Sequence, residues 1–265
     1  MKKIYNFKNK NIFVGGSSKG IGWESAKLFA DLGGNITLVS RNTQALKQRV
    51  SELSNNGDQA HNYIALDFSN PYELELELKE FVTKNSLVYD VLINNTGGPP
   101  SGDLEKATTQ ELTSAFNLHL ISFHKILGIL LNGIKNKESG RIINIISTSV
   151  KQPLNGLGVS NTIRGAVANW AKTLANELGP YNITVNNILP GATNTGRLKE
   201  IINNKAQKLN LKENAIEKQM ASKVPLKRIA EPIEVANAVV FLASDKASYI
   251  NGINLPVDGG RTKSL

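Results

Sequence analysis

A chain of 265 residues is long enough for one large α/β domain or two small ones, and its average composition excludes a disordered or membrane class. It has no cysteine, which excludes disulfides, thiolate nucleophiles and cysteine-ligated metals together and fits a cytoplasmic setting. The net charge of +9 is spread, with local concentration in "MKKIYNFKNK" and from Arg197 to Arg228. No aromatic residues interleave with the second stretch, so it reads as a solvated basic surface and not as a nucleic-acid site.

Apolar periodicity places the elements. "NIFVGG" is a strand, "GWESAKLFADLGG" a helix stopped by Gly33 and Gly34, and "NITLVS" a second strand. The pattern recurs in "HNYIALDF" (strand), "PYELELELKEFVTKN" (helix opened by proline) and "VYDVLINNTGG" (strand). It continues through "TQELTSAFNLHLISFHKILGILL" (helix), "GRIINIIST" (strand), "TIRGAVANWAKTLANELG" (helix) and "NITVNNILPG" (strand). A last helix, "EPIEVANAVVFLAS", precedes a last strand, "GINLPVDGG". No apolar core of signal-peptide length precedes Gly15. The most apolar later run is broken by His124, Lys125 and Asn132, so no membrane span is expected.

Nearly continuous apolar strands alternating with helices predict an α/β fold: one doubly wound, Rossmann-type domain over 1–265, its mostly or wholly parallel sheet covered by helices on both faces. Residues 192–228 break the pattern. They are polar, rich in Asn and Lys and without strand character, and are expected to form a substrate lid or insertion.

"NIFVGGSSKGIGWE" follows the first strand and opens the first helix, the context of a dinucleotide-binding turn. Gly16 lets the chain turn, while Gly20 and Gly22 let backbone and helix approach a pyrophosphate at the helix N-terminus. The spacing of these glycines resembles the short-chain dehydrogenase/reductase family, and the resemblance runs the whole chain. Asp67 in "LDFSN", "NNTGG" (94–98), Asn117 in "FNLHL", Ser147 after "GRIINII", "LPGATNT" and "INLPVDGG" match successive family motifs in order. Within the family the chain is similar to β-ketoacyl-carrier-protein reductases.

The resemblance implies cofactor contacts from Gly16, Ser18, Lys19, Gly20, Ile21 and Gly22, from Ser40 and Arg41, and from Asp67 and Phe68. It adds Asn94, Thr96, Gly97, Pro190, Gly191, Thr193, Thr195 and Arg164. The second strand ends in Ser40 and Arg41 where an NAD enzyme of this type carries an acid; with Lys19 on the same side, a 2′-phosphate is favoured, and the expected cofactor is NADP(H).

The implied catalytic set departs from the family at two places. Ser147 and Asn117 match, but Ser160 stands thirteen residues after Ser147 where a tyrosine is expected, and Arg164 stands where a lysine is expected. Tyr89 and Tyr181 belong to other elements. A serine hydroxyl is a far weaker acid than a phenol, and a guanidinium holds its proton. "NTGGPPSG" and "SNTIRGAV" together resemble an atypical, ketoreductase-like subgroup. The expected activity is NADP(H)-dependent hydride transfer between a ketone and an alcohol, of the 3-oxoacyl reductase type. The competing expectation is a catalytically silent NADP(H)-binding protein acting as sensor or partner subunit.

His61, His119 and His124 read as structural or surface residues, and no spacing suggests a metal site. Strand alternation would bring Ser149 to the side of Ser147. The resemblance also implies a homotetramer or dimer through helices 109–131 and 162–178, the second carrying the small residues Ala166, Ala168, Ala171 and Ala175. The expected partners are a small carbonyl or alcohol substrate and further copies of the chain, with neither nucleic acid nor membrane.

Overall fold

The β-branched apolar runs form β1 (Asn11–Gly15), β2 (Asn35–Ser40), β3 (Asn62–Ala65), β4 (Val91–Asn94), β5 (Gly140–Ile145), β6 (Ile183–Pro190) and β7 (Asn254–Val257). The computed structural model describes residues 4–137 and 139–264. All strand pairs are parallel, in the order β3-β2-β1-β4-β5-β6-β7. The chain winds outward from β1 to β3, returns to lay β4 beside β1, and winds the other way. This reversal opens a crevice at the carboxyl ends of the strands.

The helices are α1 (Gly20–Asp31), α2 (Thr43–Ser51), α3 (Pro71–Lys84), α4 (Thr109–Phe116), α5 (Ser122–Lys135), α6 (Gly158–Leu178), α7 (Gly196–Leu209), α8 (Glu213–Ser222) and α9 (Pro232–Ala243). Side-chain alternation along the strands builds two cores. Ile12, Val14, Ile36, Leu38, Ile93 and Ile143 pack with Phe29, Leu46 and Val239 of α1, α2 and α9. Phe13, Val39, Leu92 and Ile142 point the other way, onto Leu74, Leu78, Phe123, Ile126 and Val167 of α3, α5 and α6. The doubly wound architecture expected from the sequence is therefore the observed one.

Several details differ from expectation. The first helix after β2 was not foreseen: α2 buries only Leu46 and so has almost no apolar stripe, and it is started by Asn42, whose side chain accepts from the Ala45 amide. The single helix expected over 109–131 is instead α4 and α5 joined by a π-helical turn, Asn117–Ile121. The whole run Thr109–Lys135 is long and apolar enough by length and composition to cross a membrane, yet Phe123, Ile126, Leu127, Leu130 and Ile134 turn its apolar face onto the sheet. Residues 192–228 contain the helices α7 and α8, packed on each other through Leu198, Ile202, Ala206 and Ile216. Ala168, Ala171 and Ala175 do not offer a small-residue outer face, because they are buried against the sheet; of the four alanines, Ala166 is partly exposed.

A ladder of buried amides crosses four strands. Asn94 Nδ2 donates to Asn144 Oδ1 (2.8 Å), Asn144 to Asn187 (2.9 Å) and Asn187 to Asn254 (2.8 Å). The four residues are mutual neighbours in the strand register. Polar side chains are tolerated at the centre of the sheet because each amide meets the next. Asn144→Ala would leave the Asn94 donor and the Asn187 acceptor buried without partners. The expected cost is about 2–5 kcal/mol, read as a lower urea midpoint with an unchanged slope; an unaltered midpoint would contradict the ladder's structural role.

Candidate active site

The glycine loop closes over the crevice by backbone geometry. Gly16 and Gly20 have φ of 56° and 62°, a region that side-chain-bearing residues rarely adopt. Asn95, just past β4, donates its side-chain amide to the carbonyls of Gly15 (3.1 Å) and Gly16 (3.3 Å). A Cβ on Gly22 would stand 2.8 Å from that amide and 2.9 Å from the Gly15 carbonyl oxygen, so α1 can approach only with glycine there. Ser17 stitches the loop to β2, its hydroxyl accepting from the Val39 amide at 2.8 Å. Lys19, the residue that begins α1, makes no side-chain cap, which leaves the first amides of the helix facing the cleft as an anion site.

The cleft measures about 1020 Å³ and is lined by nearly all the residues expected from the sequence. At one end lie Gly16, Ser18, Lys19, Gly20, Ile21, Ser40 and Arg41, with Asp67 and Phe68 beside them. Ser40 Oγ is buried without a hydrogen-bond partner. Asp67 accepts from the amide (2.9 Å) and hydroxyl (2.7 Å) of Ser69. Thr96 and Gly97, after β4, and Pro190, Gly191, Thr193 and Thr195, at and after the end of β6, line it as well. Three expected residues do not line the cleft. Gly22 lies beneath the loop, Asn94 is held in the amide ladder, and Asn117 heads the π turn while its neighbour Leu118 faces the cleft. Asn95 occupies the wall instead of Asn94, because successive strand residues point to opposite faces.

Arg49 was missed by the sequence reading. It lies on the unforeseen α2, lines the cleft, donates Nε to the Ser18 carbonyl (3.1 Å) and stacks 4.6 Å over Trp23. With Lys19 and Arg41 it makes a cationic corner beside Ser40. A dinucleotide fits this end: the glycine loop and open helix start suit a pyrophosphate, and the cationic corner with the orphaned Ser40 hydroxyl suits a phosphorylated ribose.

At the inner end, Ser147 caps the short turn Thr148–Val150, and its Oγ accepts from the Ser149 amide at 3.1 Å. Its hydroxyl proton stays available to the cleft. The strand-alternation expectation for Ser149 does not hold, since β5 ends at Ile145 and the chain coils; Ser149 is buried outside the cleft wall. Ser160 and Arg164 lie one turn apart on α6, both buried and both lining the cleft. Asn161 fixes the start of that helix by donating to the Leu154 carbonyl (2.9 Å) and accepting from its amide (3.4 Å).

Arg164 donates Nη1 to the Ile145 carbonyl (2.8 Å), while its Nε has no partner. No carboxylate pairs with it among the described residues. Burial, and then repulsion from Arg197, lower its pKa to about 10, so at neutral pH it remains a buried, unneutralised cation. Arg197, also unforeseen, starts α7 and reaches the Pro99 carbonyl across the cleft while pairing with Glu200 at 3.1 Å. His119 is fully buried in the π turn, edge-on to Phe123, with neither ring nitrogen bonded. Burial chiefly, and then Arg164 and Arg197, hold its pKa well below the ordinary value. Among the described residues no group of His, Asp or Glu is arranged to hold a metal.

The sequence pattern of the family described as enoyl-(acyl carrier protein) reductase matches residues 16–262. The chain is 28% identical to the NADPH-dependent reductase BacG of Bacillus subtilis, over 97% of this chain and 99% of that one. It is 31% identical to the 3-oxoacyl-(acyl-carrier-protein) reductase FabG of Chlamydia trachomatis, over 95% and 97% of the two chains. The structure superposes on L-sorbose reductase of Gluconobacter frateurii, solved with NADPH and L-sorbose, with a TM-score of 0.91, 29% identity and coverage of 98% and 99%.

The buried imidazole has a consequence for acid stability. His119 is held neutral when folded, whereas an unfolded histidine titrates near 6.5. Its contribution is therefore present above pH 6.5 and lost as pH falls below it, by up to about 1.4 kcal/mol per pH unit. His119→Leu should flatten the loss of stability between about pH 6.5 and 5. Parallel stability–pH curves for the two proteins would contradict this.

Proposed function

The chain belongs to the short-chain dehydrogenase/reductase family, in the branch of the acyl-carrier-protein reductases, and on that premise we propose that it is an NADP(H)-dependent ketoreductase of the cytoplasm. The bound cofactor supplies the hydride. The chain's own residues do the rest.

Ser147 presents its free hydroxyl proton to the carbonyl oxygen. Ser160 leaves space where a phenol ring would stand, room for a water or a bulkier substrate. Arg164 is the observation that carries the reading: a buried guanidinium, unpaired by any acid among the described residues, that shares the wall of one cleft with both serines. Such a charge stabilises the alkoxide that develops as hydride arrives, and in a dry site that term is large. Arg164 does not relay protons at neutral pH, so the proton reaches the oxygen from solvent. Losing a tuned acid typically costs about 10²–10⁴-fold, and the preorganised cation offsets part of this. In this reading the serine–arginine pair marks an atypical subgroup of the family. The α7–α8 segment serves as a substrate lid, latched to the loop after β4 by Arg197, and the active form is a homotetramer or dimer.

One observation favours a second reading, the silent NADP(H)-binding protein: no group with a pKa near neutrality stands at Ser160. Turnover separates the two. A ketoreductase oxidises NADPH with its ketone substrate, and Arg164→Ala abolishes this turnover. A silent binder gains turnover of simple ketones only when Ser160→Tyr and Arg164→Lys are introduced together. For the cofactor, Arg41→Ala should weaken NADPH binding by about ten- to a hundredfold and leave NADH nearly unaffected. Equal affinity of the native protein for both nucleotides would contradict the 2′-phosphate assignment.

A further inference from the structure

Besides Arg164, cations gather at two places along the cleft. Lys19, Arg41 and Arg49 surround the ribose-phosphate corner between the glycine loop and α2. The second group lies at an outer mouth of the cleft, where α7, the end of α8 and the C-terminal tail meet. The same cleft wall also carries apolar side chains, Leu154, Leu157, Leu198, Ile201 and Met220.

Arg261 lines the cleft, as Arg197 does, but unlike Arg197 it has no acid partner among the described residues. It is presented by a built turn. Asp258 accepts from the amides of Gly260 (3.0 Å) and Thr262 (2.8 Å), and the Lys263 amide donates to Gln152 Oε1 (3.3 Å), tying the tail to the loop after Ser147. Asp258 is thus engaged with backbone amides, and no carboxylate pairs with Arg261 among the described residues. Lys205 is repelled by both Lys223 and Arg261, and neither lysine forms an ion pair among the described residues. On α7, Arg197, Ile201 and Lys205 share one face at intervals of four, so the stripe that lines the cleft continues into this cationic mouth. Glu200, the one acid of the outer wall, is paired with Arg197. Clustered like charges whose neighbouring acids, Asp258 and Glu200, are already engaged cost free energy in the free protein and favour an anionic ligand.

We propose that the substrate is a short oxo acid, whose ketone lies at Ser147, Ser160 and Arg164 and whose carboxylate is bound by Arg261 at the cationic mouth. This rests on the ketoreductase reading. Hydride goes to the ketone carbon, a solvent proton goes to its oxygen, and the products are a hydroxy acid and NADP⁺. The carboxylate is not consumed; it anchors one end of a molecule whose other end reacts, and the apolar wall fits the carbon chain between them.

The test compares acetoacetate and levulinate with their methyl esters, NADPH being held saturating. The expected result is a kcat/KM for one of the acids at least about tenfold above that of its ester, the size of a charge-assisted contact. Arg261→Gln should collapse that acid-to-ester ratio through KM, and added salt should raise KM for the acid alone. Esters turned over as well as or better than both acids would overturn the proposal while leaving the ketoreductase reading intact. A ratio unchanged by Arg261→Gln would also overturn it. Should none of the four compounds turn over, calorimetric titration of levulinate into the NADPH complex decides. Saturable binding weakened by Arg261→Gln sustains the anion site even as the reductase reading fails, and no binding at tens of millimolar overturns it.

Discussion

The close approach of three backbone segments at the β1–β4 crevice is the constraint on which this structure depends. The Gly15–Gly16 turn, the start of α1 at Gly22 and the amide of Asn95 meet with no room for a Cβ between them. That packing exists because strand order reverses there, leaving two strand ends with no helix crossing between them. The same contact fixes the direction of α1, which then covers β1 and β2 through Trp23, Ala26 and Phe29. It also leaves the first amides of α1 exposed to an anion. Core packing and phosphate binding are in this way two results of one backbone geometry.

The β-branched runs and the glycine pattern were enough to read the architecture and most of the cleft wall, because those signals are local. What stayed hidden was tertiary. Nothing local distinguishes Asn94 from Asn95; which faces the cleft is decided by strand pleat, and the amide ladder that holds Asn94 needs partners on three other strands. Arg49 was invisible because α2 carries one buried leucine and little apolar period. Arg261 lies near the end of the chain and enters the cleft only because the tail folds back to Gln152. The π turn at Asn117–Ile121 has no simple sequence signature, yet it rotates Asn117 away from the wall and buries His119.

Polar atoms left without partners concentrate around the cleft. Ser40 Oγ, Asn94 Oδ1, both nitrogens of His119, Ser149 Oγ and Arg164 Nε belong to residues in or next to its wall. Arg141 Nε and Thr184 Oγ1, near the opposite ends of β5 and β6, complete the set among the described residues. Along the rest of the ladder, Asn144 and Asn187 each donate to the next amide. Unsatisfied donors and acceptors at one place are what a fold tolerates where a ligand supplies the missing partner.

Arg164 concentrates that logic. A buried charge without a counter-ion opposes folding, and the Ile145 carbonyl gives it only one hydrogen bond. The neighbouring groups do not relieve it: His119 is kept neutral partly by this same guanidinium, and Arg197 repels it across the cleft. The free protein therefore holds a site whose electrostatic complement lies outside the chain. A developing alkoxide is such a complement, appearing only as the reaction proceeds, so the stabilisation is larger in the transition state than in the ground state. A phenol at position 160 would give the oxygen a proton; in the ketoreductase proposed above, the guanidinium at position 164 gives it a charge instead, and the two solutions place different demands on what enters the cleft. The oxo acid proposed above would satisfy the cationic mouth on binding and deliver a second negative charge, on its ketone oxygen, to the cation at the inner end.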